Sequence, residues 1–189
     1  DKSKDMHRDT ARKIFLVPDS FDNNWWKRKD PFDNGKDVRN LAKGAFVFAQ
    51  MYGSYYIQCA RNIWNQMKEL KLGVGGVSMR KHLRQYGIKE LGACDSKQPP
   101  KPGTFEKHLK DFEDWYWHVQ YPVYSKWKRS WFEGYLQRGY IDYLTGFRCE
   151  GIFSRNQMLD APIQGTAFHW LLWVLIELVK WLRKYKMKR

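Results

Sequence analysis

Near its C-terminal end this chain of 189 residues carries an apolar segment that sets the strictest condition on its fold. From about Pro162 to Tyr185 most positions are apolar, and a proline suits the first turn of a helix, so we predict a helix there. A helix that is apolar nearly all round must be covered on most sides. The continuous run 168–176 includes His169 and stops before Glu177, short of the roughly 20 residues that a membrane span needs. We therefore expect a helix buried in protein, and no membrane partner.

The rest of the sequence predicts a mostly α fold with a small β-hairpin. Residues 139–148 are predicted to form the hairpin, because β-forming residues flank a Thr-Gly turn. Hydrophobic spacing and breaker residues predict the following helices: 5–15, 37–72 (one long helix or two abutting ones), 79–86, 105–120 and 123–138.

Positive charge and aromatic rings dominate the composition. Lys and Arg number 34 against 20 Asp and Glu, a formal net charge of +14, and aromatic residues make up 17%. This balance is typical of a polyanion partner, because rings stack on bases and cations meet phosphates. The loop 25–29 joins two Trp to three cations, and we expect it to be exposed and to contact single-stranded nucleic acid or a partner chain. The alternative is that a Trp of this loop packs in the core.

The cysteines indicate the compartment. Cys59, Cys94 and Cys149 are widely spaced, with neither the spacing of a zinc site nor the even number of a disulfide framework. Such a set is typical of a reducing, intracellular environment. The first residues are charged and show no signal-peptide pattern. We therefore expect a cytoplasmic protein.

Three stretches carry the functional signal. The first is DMHRDTA at 5–11, and the second is RNLAK at 39–43 followed by FAQMYG at 48–53. The third is the hairpin segment 139–148 together with LDAPIQGTA at 159–167. In this order they resemble the fingers and adjoining palm of a family A DNA polymerase, bacterial DNA polymerase I-like and of the phage type. For a phage protein the expected location is the host cytoplasm.

The resemblance implies an organisation of the chain into polymerase subdomains. It places a palm-to-fingers segment at 1–20 and the fingers at 21–120, with an O helix at about 37–53 and a tip insertion around 73–106. Residues 121–189 return to the palm, with the hairpin at 139–148 and a Q helix at about 162–185.

The resemblance also assigns site residues. Those implied to bind the incoming dNTP are His7, Arg39, Lys43, Phe48 and Tyr52. Those implied to bind the primer–template are Gly53, Arg148, Arg155, Asp160 and Gln164. Arg39 and Lys43 are four apart, so they share a helix face and can grip phosphate oxygens. The alternative is that these positions have ordinary structural roles. The two cations would be a solvated pair, the histidine a surface residue, the aromatics a core stripe, and the glutamine a polar residue at a helix start.

The sequence departs from the family pattern in the O helix and the Q helix. Eight residues separate Lys43 from Tyr52, one more than the pattern has, so a regular α-helix would turn them to opposite faces. A π-bulge between Lys43 and Phe48 would restore a common face, and we predict one there. In the Q helix Asp160 stands where the family usually has asparagine. Asn156 stands where the family has arginine, and Arg155 lies one place away.

Both aspartate motifs that hold the catalytic metals are missing. The resemblance implies that two Mg2+ ions are held by aspartates outside these residues, upstream of Asp1 and after Arg189. It therefore implies that this chain is a fragment or one subunit of a split enzyme. Partner fragments or subunits would then carry the missing palm motifs. Two alternatives stay open: a fragment of a single-subunit RNA polymerase, and a non-catalytic nucleic-acid-binding module of polymerase-like shape.

Overall fold

Helices make up most of residues 5–185, with two short antiparallel strand pairs in that range, as the sequence predicts for the fold class. The computed structural model describes residues 5–185. Contacts divide the chain into one unit ending at Pro122 and a second beginning at Val123. Each unit is described by itself below.

The first unit is a cluster of helices with one small hairpin. Its elements are α1 (Met6–Phe15), a 3-10 turn (Trp25–Lys27), α2 (Gly35–Ala42), the π-helix π1 (Lys43–Phe48), α3 (Ala49–Met51), α4 (Tyr56–Glu69), β1 (Gly73–Val74), β2 (Val77–Ser78), α5 (Met79–Gln85), α6 (Phe105–Trp115) and the π-helix π2 (Tyr116–Gln120). The predicted stretch 37–72 is thus two helical segments, separated at residues 52–55.

The core of this unit lies between α1, π1, α4 and α6. Phe46 on π1 is fully buried, with its ring 5.0 Å from Phe112 and 5.3 Å from Tyr116. Ile14 on α1 and Ile63 on α4 are also fully buried. This packing fixes the inner face of π1, so the outer face of the same turn is also held in place.

The expected exposure of the 25–29 loop is wrong for its two tryptophans. Trp25 and Trp26 are 2% and 6% exposed, so both rings of the 25–29 loop belong to the core and only its cations face solvent. The Trp25 Nε1–H donates to Asp33 Oδ1 at 2.6 Å, which satisfies its one polar group on burial. A glycine cluster follows the end of α4 and forms the turn of the β1–β2 hairpin, where Gly75 and Gly76 have φ of +58° and +79°.

The second unit joins a long helix to the predicted hairpin and to the C-terminal helix. Its elements are α7 (Pro122–Arg138, which begins one residue before the division), β3 (Tyr140–Asp142), β4 (Arg148–Glu150) and α8 (Arg155–Lys184). Ile141 pairs with Cys149 across the hairpin, whose second strand extends two residues past the prediction. Tyr135, Ile141, Met158 and Leu159 form its buried core.

Helix α8 begins seven residues before Pro162, where the sequence predicted its start. Ser154 and Gln157 form a capping box, which satisfies N–H groups of the first turn and sets the true start. Pro162 therefore lies inside the helix, where it cannot donate to the carbonyl of Met158 four residues earlier. The Trp131 Nε1–H donates to that carbonyl at 3.2 Å and replaces the missing partner.

The C-terminal half of α8 is uncovered. Among the described residues its apolar side chains from Phe168 to Trp181 are 40–60% exposed. Within residues 5–185, α8 is also the one helix long and apolar enough to cross a membrane, by length and composition only. The prediction that this segment falls short of a span is therefore wrong on length, although a core helix of a soluble protein passes the same test.

Candidate functional site

Asp5 ties the start of α1 to α2. Its Oδ1 accepts hydrogen bonds from the backbone N–H groups of His7 and Arg8, at 3.0 and 3.1 Å, and so caps the helix. The Arg39 guanidinium also donates to this carboxylate, from Nε to Oδ2 at 2.8 Å and from Nη2 to Oδ1 at 3.3 Å. Burial opposes ionisation of Asp5, but the bonds from Arg39 and the backbone outweigh it and hold the pKa of this carboxyl below its usual value.

His7 lies between the cations and an aromatic ring. Its ring meets that of Phe48 edge to face, with centroids 5.8 Å apart. Burial, followed by the positive charges of Arg39 and Lys43, lowers the pKa of His7 below its usual value. The imidazole is therefore neutral at pH 7. Within residues 5–185 its Nδ1 is buried without a hydrogen-bond partner, which leaves a polar atom of the site unsatisfied by the protein.

The π1 segment brings Lys43 and Phe48 together. In a regular α-helix, at about 100° per residue, side chains five positions apart point roughly 140° away from each other. Here Lys43 Nζ stands 5.2 Å from the centre of the Phe48 ring, within cation–π range. The helix is a π-helix from Lys43 to Phe48, which confirms the widening predicted from the extra residue.

Phe48 and Tyr52 form the aromatic part of this surface. Phe48 is 42% exposed, although the adjacent Phe46 and Val47 are buried. The rings of Phe48 and Tyr52 have centroids 6.4 Å apart. Gly53, which follows, has a φ of +93°, a conformation that favours glycine and ends the helix there. An exposed large ring beside cations is a surface suited to a sugar or a base.

The structure therefore brings together the five residues predicted to bind a dNTP. Lys43, His7 and Tyr52 each lie beside the Phe48 ring, and Arg39 is joined to the start of α1 through Asp5. Asp5 was not predicted as part of this group, although its position just before a helical run is the usual signal of a helix cap.

The residues predicted to bind the primer–template are less closely connected. Gly53 belongs to the first unit and the other four to the second. Arg148 on β4 pairs with Asp142 at 2.8 Å and lies 3.7 Å from the centre of the Tyr140 ring. On α8, Arg155 lies 5.8 Å from the ring of Phe132.

Asp160 and Gln164 are four residues apart and share a face of α8. Gln164 is exposed, and among the described residues Asp160 Oδ1 is buried without a hydrogen-bond partner.

Metal binding has no support in this part of the protein. Residues 5–185 contain no group of three or more His, Cys, Asp or Glu side chains placed to hold an ion. The resemblance places both magnesium ions on aspartates outside these residues, so this absence has no bearing on them. No protein-family model, curated protein or solved structure matches this chain.

Proposed function

We propose that this chain supplies the dNTP-binding surface of a DNA-directed DNA polymerase resembling family A, and that it contacts the primer–template. The observation that supports the proposal is the convergence of the five residues described above. The π1 segment is central to the proposal for two reasons. The segment occurs where this sequence has one residue more than the family motif, and it returns Lys43 to the face of Phe48.

The geometry suggests how each group acts on a nucleotide. A triphosphate carries dense negative charge, and binding it is mostly positioning and charge stabilisation. Arg39 offers a planar fork and Lys43 a point charge. Neutral His7 adds a hydrogen-bonding group. Phe48 lies against the sugar, and Tyr52 lies near the templating base.

Catalysis needs more than these residues. In the proposed enzyme the aspartates that hold magnesium belong to other polypeptide, which packs on the exposed half of α8. Gly53, Arg148, Arg155, Asp160 and Gln164 contact the primer–template. The guanidinium of Arg148 is held on the Tyr140 ring. From there this exposed cation contacts the backbone phosphates of the primer–template.

Calorimetric titration of the full chain with dATP, ATP and dAMP, in a mild non-ionic detergent that covers α8, tests the proposal. We expect dATP to bind more tightly than dAMP, because only the triphosphate reaches both cations. Phe48→Ala should weaken dATP binding at least fivefold, whereas the control Tyr86→Ala, which truncates another half-exposed ring, should not. Equal affinity of the Phe48→Ala variant and the wild type for dATP would exclude this surface as the nucleotide site.

Two other functions remain as alternatives. A single-subunit RNA polymerase would use the same helix, but the bulky, exposed ring of Phe48 on the site favours a sugar without a 2′-hydroxyl. Equal affinity for ATP and dATP would favour the RNA enzyme. A non-catalytic nucleic-acid-binding module accords with the lack of a metal-binding group in residues 5–185. Primer–template binding that no dNTP strengthens would favour that function.

A further inference from the structure

A second feature of the first unit is a cavity that Arg39 helps to line. It has a volume of about 490 Å3 and lies between the start of α1, the 3-10 turn and α2. Eight residues line it, four of them cationic: Arg8, Lys27, Lys36 and Arg39, with Asp5, Asn23, Trp26 and Asn40. Four cations thus face one carboxylate, an excess of three positive charges.

Within residues 5–185, Arg8 and Arg39 form ion pairs, but the two lysines of the cavity do not. Arg39 is paired with Asp5, and Arg8 donates to Asn23 Oδ1 at 2.5 Å and reaches Asp9 at 3.5 Å. No carboxylate lies within ion-pair distance of Lys27 or Lys36 in the part of the chain that the structure describes. Like charges held around one concavity repel each other and concentrate anions there.

Arg39 connects the cavity to the candidate nucleotide site. Asp5 takes its Nε and one hydrogen of Nη2, and Nη1 has no partner among residues 5–185. Asp5 also accepts from the backbone N–H of His7, so it joins Arg39 to the candidate nucleotide site. An anion bound at Nη1 can therefore extend from the face of His7 and Lys43 into the cavity.

We propose that this cavity is an oligophosphate subsite, which binds a chain of two or three linked phosphates. The proposal rests on the proposed function in one respect, because it places there the terminal phosphates of a nucleotide whose sugar lies against Phe48. Free inorganic tripolyphosphate has the same chemistry and binds in the same place. A dense oligoanion fits better than a nucleic-acid strand, because the cations line one concavity instead of following a groove.

Two lysines permit a direct test. The variant Lys27→Ala/Lys36→Ala removes two cations that make no protein contact recorded in the structure, so it should fold normally. The control Lys68→Ala/Lys89→Ala removes the same charge from exposed positions outside the cavity. Both variants and the wild type are titrated by calorimetry with sodium tripolyphosphate, with orthophosphate and with dATP, at constant ionic strength and in the same detergent.

We expect the cavity variant to bind tripolyphosphate and dATP at least tenfold more weakly than the wild type, and the control variant to stay within twofold. Orthophosphate, with one phosphate, should bind the wild type far more weakly than tripolyphosphate. Equal losses in the two double variants, no loss in the cavity variant, or no saturable tripolyphosphate binding by the wild type would each overturn the subsite.

The Phe48→Ala variant separates this proposal from the nucleotide function. If Phe48→Ala weakens dATP binding and the lysine variant does not, the nucleotide site stands and the subsite is wrong. If the lysine variant loses tripolyphosphate while Phe48→Ala leaves dATP binding unchanged, the subsite stands and the nucleotide function is wrong.

Discussion

Asp5→Asn tests how the Asp5–Arg39 pair affects anion binding. Asparagine caps helices about as well as aspartate, so the α1 start should persist. The substitution removes the negative charge that now faces Arg39. The pair is partly exposed, with side chains 30% and 34% accessible, so its loss should lower the free energy of unfolding by no more than about 1 kcal/mol.

The effect on ligand affinity has the opposite sign. A phosphate held by the free Nη1 of Arg39 would lie roughly 7 Å from the Asp5 carboxylate. At that distance two unit charges repel by about 0.6 kcal/mol in water and about 2.4 kcal/mol at an effective dielectric constant of 20. Partial exposure favours the lower part of this range, near 1 kcal/mol, so Asp5→Asn should bind dATP about fivefold more tightly.

Calorimetric titration of dATP into both proteins at about 50 mM salt measures the change, and raising the salt should reduce it. Asp19→Asn is the matched control, because Asp19 also pairs with an arginine of α1, Arg12, but lies outside the cavity that Arg39 lines. Weaker dATP binding by Asp5→Asn would refute the reasoning, because it would mean that the carboxylate chiefly holds Arg39 in its binding position.

Three further outcomes follow from local geometry. Deletion of Gly44, an exposed residue of π1, should convert the segment to a regular helix that keeps Lys43 on the binding face. The dATP affinity measured by calorimetry should therefore change less than threefold. A tenfold loss of affinity would contradict this. Trp131→Phe should lower the free energy of unfolding in urea by about 1–3 kcal/mol, because it leaves a carbonyl of α8 unpaired; an equal or larger loss in the control Trp127→Phe would argue against that cause. Burial lowers the pKa of His108, so the unfolded state binds more protons below about pH 6.5 and stability should fall as the pH drops below that value. His108→Gln should flatten this part of the urea-midpoint profile, and an unchanged slope would show that other groups cause it.

The sequence predicted best where a local pattern decides the structure. The α1 start, the hairpin at 139–148 and the widening between Lys43 and Phe48 all follow from spacing within a few residues. The burial of Trp25 and Trp26 was missed, because their three cationic neighbours indicate exposure and only tertiary packing overrides that pattern. The pairing of Asp5 with Arg39, 34 residues apart, was missed for the same reason.

The start of α8 was missed for a different reason. The prediction used only the proline at 162, whereas the capping box of Ser154 and Gln157 sets the start. Proline inside a helix is normally excluded by its missing N–H. Only the fold shows that an indole from another helix satisfies the carbonyl that Pro162 leaves free.

The uncovered half of α8 has a consequence for how the helix is maintained. Leu144 N–H bonds to Thr166 Oγ1, and Thr145 to His169 Nδ1, but beyond His169 the helix has no support from the β3–β4 turn. The remaining 15 residues to Lys184 form an arm about 22 Å long. Isolated helices of this length are only marginally stable in water, so amide hydrogen exchange along the arm should quicken steadily toward its end. A partner that covers the arm would also order it, and part of its binding energy would be spent on that ordering.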